Sequence, residues 1–197
     1  MSGVPRVGVL ALQGDVREHV AALRAAGLPE NAVFEVRTPT DLDHVDGLVL
    51  PGGESTTVGR LLRSAGLDEH ITRRAVAGMP LFATCAGVIL LANEIAGSQQ
   101  LHLGLLPVRI ERNAYGRQVD SFETRLEVPG MGQIEAVFIR APRIVMADPS
   151  VRVLARYRGD PVLCSFNKIL AATFHPELTV DGRLHRYFLA MIGSHQA

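Results

Sequence analysis

Leu81-Phe82-Ala83-Thr84-Cys85-Ala86-Gly87-Val88-Ile89 decides the fold. An apolar, strand-like run meets a cysteine, two small residues follow, and an apolar helical run begins at once. This is how a chain displays a nucleophile on a sharp strand-to-helix turn. The small residues Ala83, Ala86 and Gly87 let such a turn pack tightly. A thiolate is the reactive form of cysteine, and a helix N-terminus or a neighbouring imidazolium favours it. A free cysteine is also among the most buried residue types, so Cys85 alone reads equally well as a small core residue.

Working outward, short β-branched runs alternate with helical patterns, which argues for a parallel sheet flanked by helices. Val7 to Leu12 reads as a buried first strand, and Val16 to Ala26 as an amphipathic helix stopped by Gly27 and Pro29. Val33 to Val36 and Gly47 to Leu50 are the next strands, and Pro80 to Thr84 is the strand that ends at Cys85. After Pro51-Gly52-Gly53 a helix is expected near Ser55 or Thr56, capped by their hydroxyls. From about Leu103 to Arg158 the pattern changes to strand-like stretches with turns at Pro107, Tyr115-Gly116, Pro129-Gly130 and Arg158-Gly159, read as antiparallel strands appended to the core. Ile169 to Phe174 returns as a core strand, and Leu184 to Ile192 is a closing helix. The fold class is therefore α/β, a three-layer arrangement with a mostly parallel central sheet and additional antiparallel strands. No repeat or linker divides residues 1–197, so a single domain is expected.

Composition excludes several functions. Lys+Arg 20 against Asp+Glu 20 leaves no net charge, hence no broad basic field for nucleic acid or an anionic membrane. Apolar runs break off well short of the roughly 20 residues that span a bilayer, and the N-terminus lacks a signal-like pattern. A soluble protein of the cytoplasm is expected. The 2 cysteines, Cys85 and Cys164, have no metal-clip spacing, so neither a disulfide scaffold nor a metal site is expected.

Downstream, Phe174-His175-Pro176-Glu177 supplies a base and a carboxylate two positions apart. Pro176 biases His175 toward an extended conformation, in which residues i and i+2 point to one side. Glu177 can then hold the ring while the other nitrogen faces a thiol, the arrangement nucleophilic catalysis needs. The Pro51-Gly52-Gly53-Glu54-Ser55-Thr56-Thr57 loop follows a strand and opens a helix, offering backbone amides to an anion or carbonyl. No lysine follows its glycines, so it is not a Walker phosphate loop. The amide of Ala86 is a natural oxyanion donor.

Cys85 on an elbow, a Gly-Gly loop about thirty residues before it and His-x-Glu near the end resemble the class I, or triad, glutamine amidotransferases. Finer motifs narrow the resemblance: Leu10-Ala11-Leu12-Gln13-Gly14-Asp15-Val16-Arg17-Glu18-His19, Thr84-Cys85-Ala86-Gly87, Arg112-Asn113-Ala114-Tyr115-Gly116-Arg117-Gln118, Phe138-Ile139-Arg140-Ala141-Pro142 and Phe174-His175-Pro176-Glu177-Leu178-Thr179. End to end they are similar to the glutaminase subunits of pyridoxal 5'-phosphate synthases.

The resemblance implies that Cys85 attacks the side-chain amide carbon of L-glutamine, His175 moves the proton to ammonia, and Glu177 orients His175. It implies glutamine contacts at Gly52, Gly53, Glu54, Arg112, Ile139 and Arg140, and an oxyanion hole from the amides of Gly53 and Ala86. An arginine suits such a place because its planar fork matches a carboxylate. Ammonia would pass to a barrel-shaped synthase subunit, in an assembly of twelve synthases and twelve glutaminases, with the helix near Gln13 to His19 in the docking face. No cofactor is implied for this chain, whose only lysine is Lys168. One departure stands out: the usual elbow has glycine two residues before the cysteine, where this chain has Ala83. The glutaminase of imidazole glycerol phosphate synthase is the nearest enzyme rival, disfavoured by the Gly-Gly-Glu-Ser loop and Thr-Cys-Ala-Gly. A non-catalytic module on the same fold is disfavoured by the intact triad and both arginines.

Overall fold

The structure, a computed structural model, describes residues 3–112 and 121–193. The expected turn at Tyr115-Gly116 and positions 113–118 of the motif that begins at Arg112 lie outside the described residues.

The chain runs β1 (Val7–Leu10), α1 (Val16–Ala25), β2 (Val33–Val36), α2 (Pro39–Asp43), β3 (Gly47–Leu50), α3 (Ser55–Ser64), α4 (Leu67–Val76), β4 (Leu81–Thr84) and α5 (Ala86–Leu91). It continues through β5 (Ala92–Ile95), β6 (Leu106–Glu111), β7 (Phe122–Val128), β8 (Gly132–Phe138), β9 (Arg143–Ala147), β10 (Arg152–Tyr157), β11 (Asp160–Phe166), β12 (Ile169–Ala172) and α6 (Arg183–Gly193). Seven strands form the central sheet in the order β10-β11-β12-β4-β3-β1-β2. The five from β12 to β2 are parallel, and β10 and β11 extend one edge antiparallel.

The parallel strands β1, β3, β4 and β12 are buried at every position. That follows from helices on both faces, which turn strand sequences into continuous apolar runs. Alternate residues feed two cores. Leu48, Leu50, Leu81 and Ala83 pack with α3, α4 and α5 on one side, while Val7, Val9, Val49 and Phe82 meet Leu23 of α1 and Phe188 of α6 on the other.

The strands after Leu103 include the expected antiparallel additions and fall into three groups. β6 pairs antiparallel with β9 and parallel with β5, β7 and β8 form a two-stranded ribbon, and β10 joins the central sheet through β11. The ribbon is stitched to the core by an aromatic stack in which Phe122, Phe138 and Tyr157 lie 4.7 to 5.5 Å apart. One correction concerns α3. Its N-cap is Glu54, whose carboxylate accepts the amides of Thr56 at 3.2 Å and Thr57 at 2.8 Å, so the hydroxyls of Ser55 and Thr56 do not cap it.

The topology places the chemistry. β12, β4, β3 and β1 are neighbours, so the loops leaving their carboxyl ends open onto one crevice. Those loops carry His175, Cys85, Gly52 to Glu54, and Gln13 to Asp15.

Candidate active site

Cys85 follows β4 directly and adopts φ 44° and ψ −105°. A side chain rarely sits at positive φ, and surroundings that impose it are common at functional sites. Its amide donates to Ala172 O of β12 at 2.9 Å, tying the elbow to the neighbouring strand. Behind the elbow α5 presses on β3 so closely that a Cβ on Gly87 would lie 2.2 Å from Leu50 O. Ala83 fits without opening the turn: its methyl is fully buried in the core and its strand keeps register with Leu50 and Ala171.

His175 lies three residues beyond β12, and its amide donates to Val137 O of β8 at 2.8 Å. Its Nδ1 donates to Glu177 Oε1 at 2.8 Å. The same nitrogen is 3.2 Å from Asp15 Oδ2. Nε2 is buried and makes no regular hydrogen bond among the described residues. Burial opposes a charge on the ring, but Asp15, Cys85 and Glu177 outweigh it and raise the imidazole pKa well above the ordinary histidine value. These neighbours favour a positive charge on the ring beside Cys85. Glu177 is buried, which raises its carboxyl pKa against the pull of His175.

The crevice is a cavity of about 400 Å³. Cys85, Ala86, Gly53, Glu54, Arg112, Ile139, Arg140 and His175, all expected site residues, line it. Glu177 stands behind His175. Gly52 also lies behind, and a Cβ there would come 2.5 Å from His175 Cε1 and 2.6 Å from Asp15 Oδ2. Ala86 is the first residue of α5, so its amide has no partner within the helix. The Phe138-Ile139-Arg140 turn reaches over the elbow, with Ile139 O 3.9 Å from Cys85 Sγ and Arg140 at φ 44°.

Arg112 extends its fork along the cavity wall, donating to Gln100 Oε1 at 2.6 Å, Thr56 Oγ1 at 3.3 Å and Glu54 Oε1 at 3.3 Å. Glu54 is thereby fully engaged. Its carboxylate caps α3 and meets Arg112, and its amide donates to Gln13 Oε1 at 2.8 Å; burial, the largest single influence, raises its pKa, but the Thr57 and Thr56 donors together outweigh it and hold the value at about 2.

Four residues that sequence reasoning did not place in the site belong to its frame: Gln13, Asp15, His19 and His185. Gln13 and Asp15 sit on a turn that Gly14 makes possible at φ 112°, where an added Cβ would lie 1.8 Å from Gly52 O. The Asp15 amide donates to that same oxygen at 3.1 Å. Asp15, His175 and Glu177 each place a ligand atom within 4.8 Å of the others. A metal there would have to displace the proton that His175 Nδ1 shares with the two carboxylates. Cys164 lies away in β11, its thiol pKa pushed up to about 12 by burial, with only a small opposing pull from Arg156.

Comparison with known proteins bears on the family of this chain. A family model described as the SNO glutamine amidotransferase family matches residues 9–194. A pyridoxal 5'-phosphate synthase subunit PdxT of Thermotoga neapolitana is 57% identical over 189 residues, 95% of this chain and 99% of that protein. The PdxT of Thermus thermophilus is 53% identical over 195 residues, 98% of this chain and all of its own. A solved structure described as a glutamine amidotransferase superposes with a TM-score of 0.90 at 51% identity, covering 97% of this chain. Among the described residues no helix is long and apolar enough to cross a membrane.

Proposed function

This chain belongs to the SNO glutamine amidotransferase family, and from that premise we propose that it is the glutaminase of a pyridoxal 5'-phosphate synthase, hydrolysing L-glutamine to L-glutamate and ammonia. The observation that carries this reading is the pairing of Cys85 on a positive-φ elbow with a histidine whose Nδ1 is held by Glu177 at 2.8 Å.

The Cys85 thiolate attacks the side-chain amide carbon of glutamine, and the amides of Gly53 and Ala86 receive the charge that develops on the carbonyl oxygen. As the C–N bond breaks, the proton on His175 Nε2 passes to the departing nitrogen, releasing ammonia and leaving a glutamyl thioester. Water then gives its proton to the neutral His175 and its oxygen to the thioester carbon, which frees glutamate and regenerates the thiolate–imidazolium pair. Glu177 orients the ring through both steps, as a buried carboxylate does in a triad.

Glutamine is held at its α-carboxylate end by the cation-bearing wall of Arg112 and Arg140, with Ile139 against its methylenes and the Gly52 to Glu54 loop on the opposite side. The ammonia goes to a barrel-shaped synthase subunit, in an assembly of twelve synthases and twelve glutaminases, with residues 1–197 as one glutaminase domain. The cytoplasm is the expected compartment. A glutamine analogue with an electrophilic carbon in place of the amide tests the site. Mass spectrometry should find it on Cys85 and not on Cys164, whose buried thiol stays protonated. Modification of Cys164 with Cys85 untouched would refute the assignment.

A further inference from the structure

Two buried histidines behind the triad have no part in the mechanism above. His19 of α1 and His185 of α6 are both fully buried. His19 Nδ1 is 3.2 Å from His185 Nε2, and His19 Nε2 is 3.0 Å from Thr84 Oγ1 and 3.4 Å from Glu177 Oε2. Thr84 Oγ1 also accepts the amide of Gly52 at 3.1 Å. The cluster thus touches three parts of the site: the triad carboxylate, the residue preceding Cys85, and the glycine packed on His175. Phe82 closes it, with its ring edge-on to both imidazoles.

The contacts and the burial of the rings favour one placement of the protons. Burial, with the neighbouring His185 and then His175, lowers the His19 pKa well below the ordinary value, and burial lowers His185 to about 4. Both rings are neutral, so each has one donor and one acceptor. Among the described residues Glu177 Oε2 is buried and makes no regular hydrogen bond; His19 Nε2 stands 3.4 Å from it, and a carboxylate can only accept. A proton on His19 Nε2 faces both that oxygen and Thr84 Oγ1, and the pull of the carboxylate favours it there. His19 Nδ1 becomes an acceptor, His185 donates from Nε2, and among the described residues His185 Nδ1 is left as a bare lone pair. The reverse tautomers would aim a lone pair at the carboxylate and bury an unpaired N–H, the more expensive fault.

We propose that His19, its tautomer set by His185, is a positioning residue of the glutaminase reaction, holding the second oxygen of Glu177 and the Thr84 hydroxyl that links the elbow to the Gly52 loop. The inference rests on the glutaminase reading for its kinetic consequence, though the tautomer does not. Its reach is notable because α1 also carries Asp15 at its start, so one helix contacts the triad at two points.

The test uses the complex with the synthase subunit. His19→Leu should lower kcat about tenfold or more, the effect of leaving a buried charged group without its polar neighbour, with KM for glutamine nearly unchanged. His19→Gln, whose amide can donate from near the Nε2 position, should recover most of that loss. The pH profile of kcat/KM should shift in His19→Leu and return in His19→Gln, which a general loss of packing would not produce. Separately, nitrogen chemical shifts of the wild-type imidazoles should show His19 protonated on Nε2. A folded His19→Leu with wild-type kcat and pH profile, a leucine-level defect in His19→Gln, or His19 protonated on Nδ1 would each overturn the proposal. If the wild-type complex makes no glutamate, the glutaminase reading falls and the tautomer alone decides.

Discussion

Asp15 Oδ2 lies 3.2 Å from His175 Nδ1, the nitrogen that Glu177 Oε1 already holds at 2.8 Å. One N–H is shared by two carboxylates, one fully buried and one at the cavity wall. The second matters because it adds to the charge that keeps His175 protonated.

Removing that charge should therefore move the pH dependence of the reaction. Asp15 raises the His175 pKa, so Asp15→Asn lowers it, and the alkaline limb of kcat/KM moves to lower pH because the general acid is lost sooner. Burial and the remaining Glu177 keep the shift finite. An alkaline limb that stays in place would show that Asp15 does not act on the ring.

Gly52 has no room for a side chain, since a Cβ would press on His175 Cε1 at 2.5 Å and on Asp15 Oδ2 at 2.6 Å. Gly52→Ala should lower kcat about a hundredfold, the scale on which an ångström of misplacement is felt. The loop is at the surface end of β3, so the fold should survive. Circular dichroism checks that, and a folded Gly52→Ala with normal turnover contradicts the geometry.

Arg112 donates to Gln100, Thr56 and Glu54, a fork that lysine cannot reproduce. Arg112→Lys should raise KM for glutamine about tenfold while changing kcat much less, if the fork holds the substrate's carboxylate end. A loss confined to kcat would place Arg112 elsewhere in the reaction.

Glu54 caps α3 and its carboxyl pKa is held at about 2, below its unfolded value. Its stabilisation is thus present above the unfolded pKa and lost as pH falls from about 4.5 toward 2. Glu54→Ala should lower stability by about 1 kcal/mol at pH 7, and the gap should narrow across that window. Denaturant midpoints at pH 7 and pH 3 measure it, and a gap independent of pH would mean that the cap does not depend on the carboxylate.

The architecture was legible because its strongest signals are local. Val33–Val36 and Gly47–Leu50 have the expected bounds, and β4 ends at the residue before Cys85. The α3 cap differs from the expected one because serine and threonine are the usual capping residues, whereas here a longer carboxylate reaches forward to the amides of Thr56 and Thr57. Helix α4, with charged residues at many positions, gives little periodic signal to read. That β10 extends the central sheet while β7 and β8 form a separate ribbon is not legible, since alternation reveals a strand but not the sheet it joins. Asp15, His19 and His185 give no signal in the sequence for a related reason. Their importance comes from distances of 3.0 to 3.4 Å between residues up to 166 positions apart, which no spacing in the chain encodes. Ala83, the one departure at the elbow, proves to be an ordinary core residue of β4.

Glutamate production by wild type and Cys85→Ala, each with and without the barrel synthase subunit, tests the central claim most directly. The wild type should release glutamate when the partner is present, and Cys85→Ala should release none while still binding the partner. Undiminished turnover by Cys85→Ala would contradict the account.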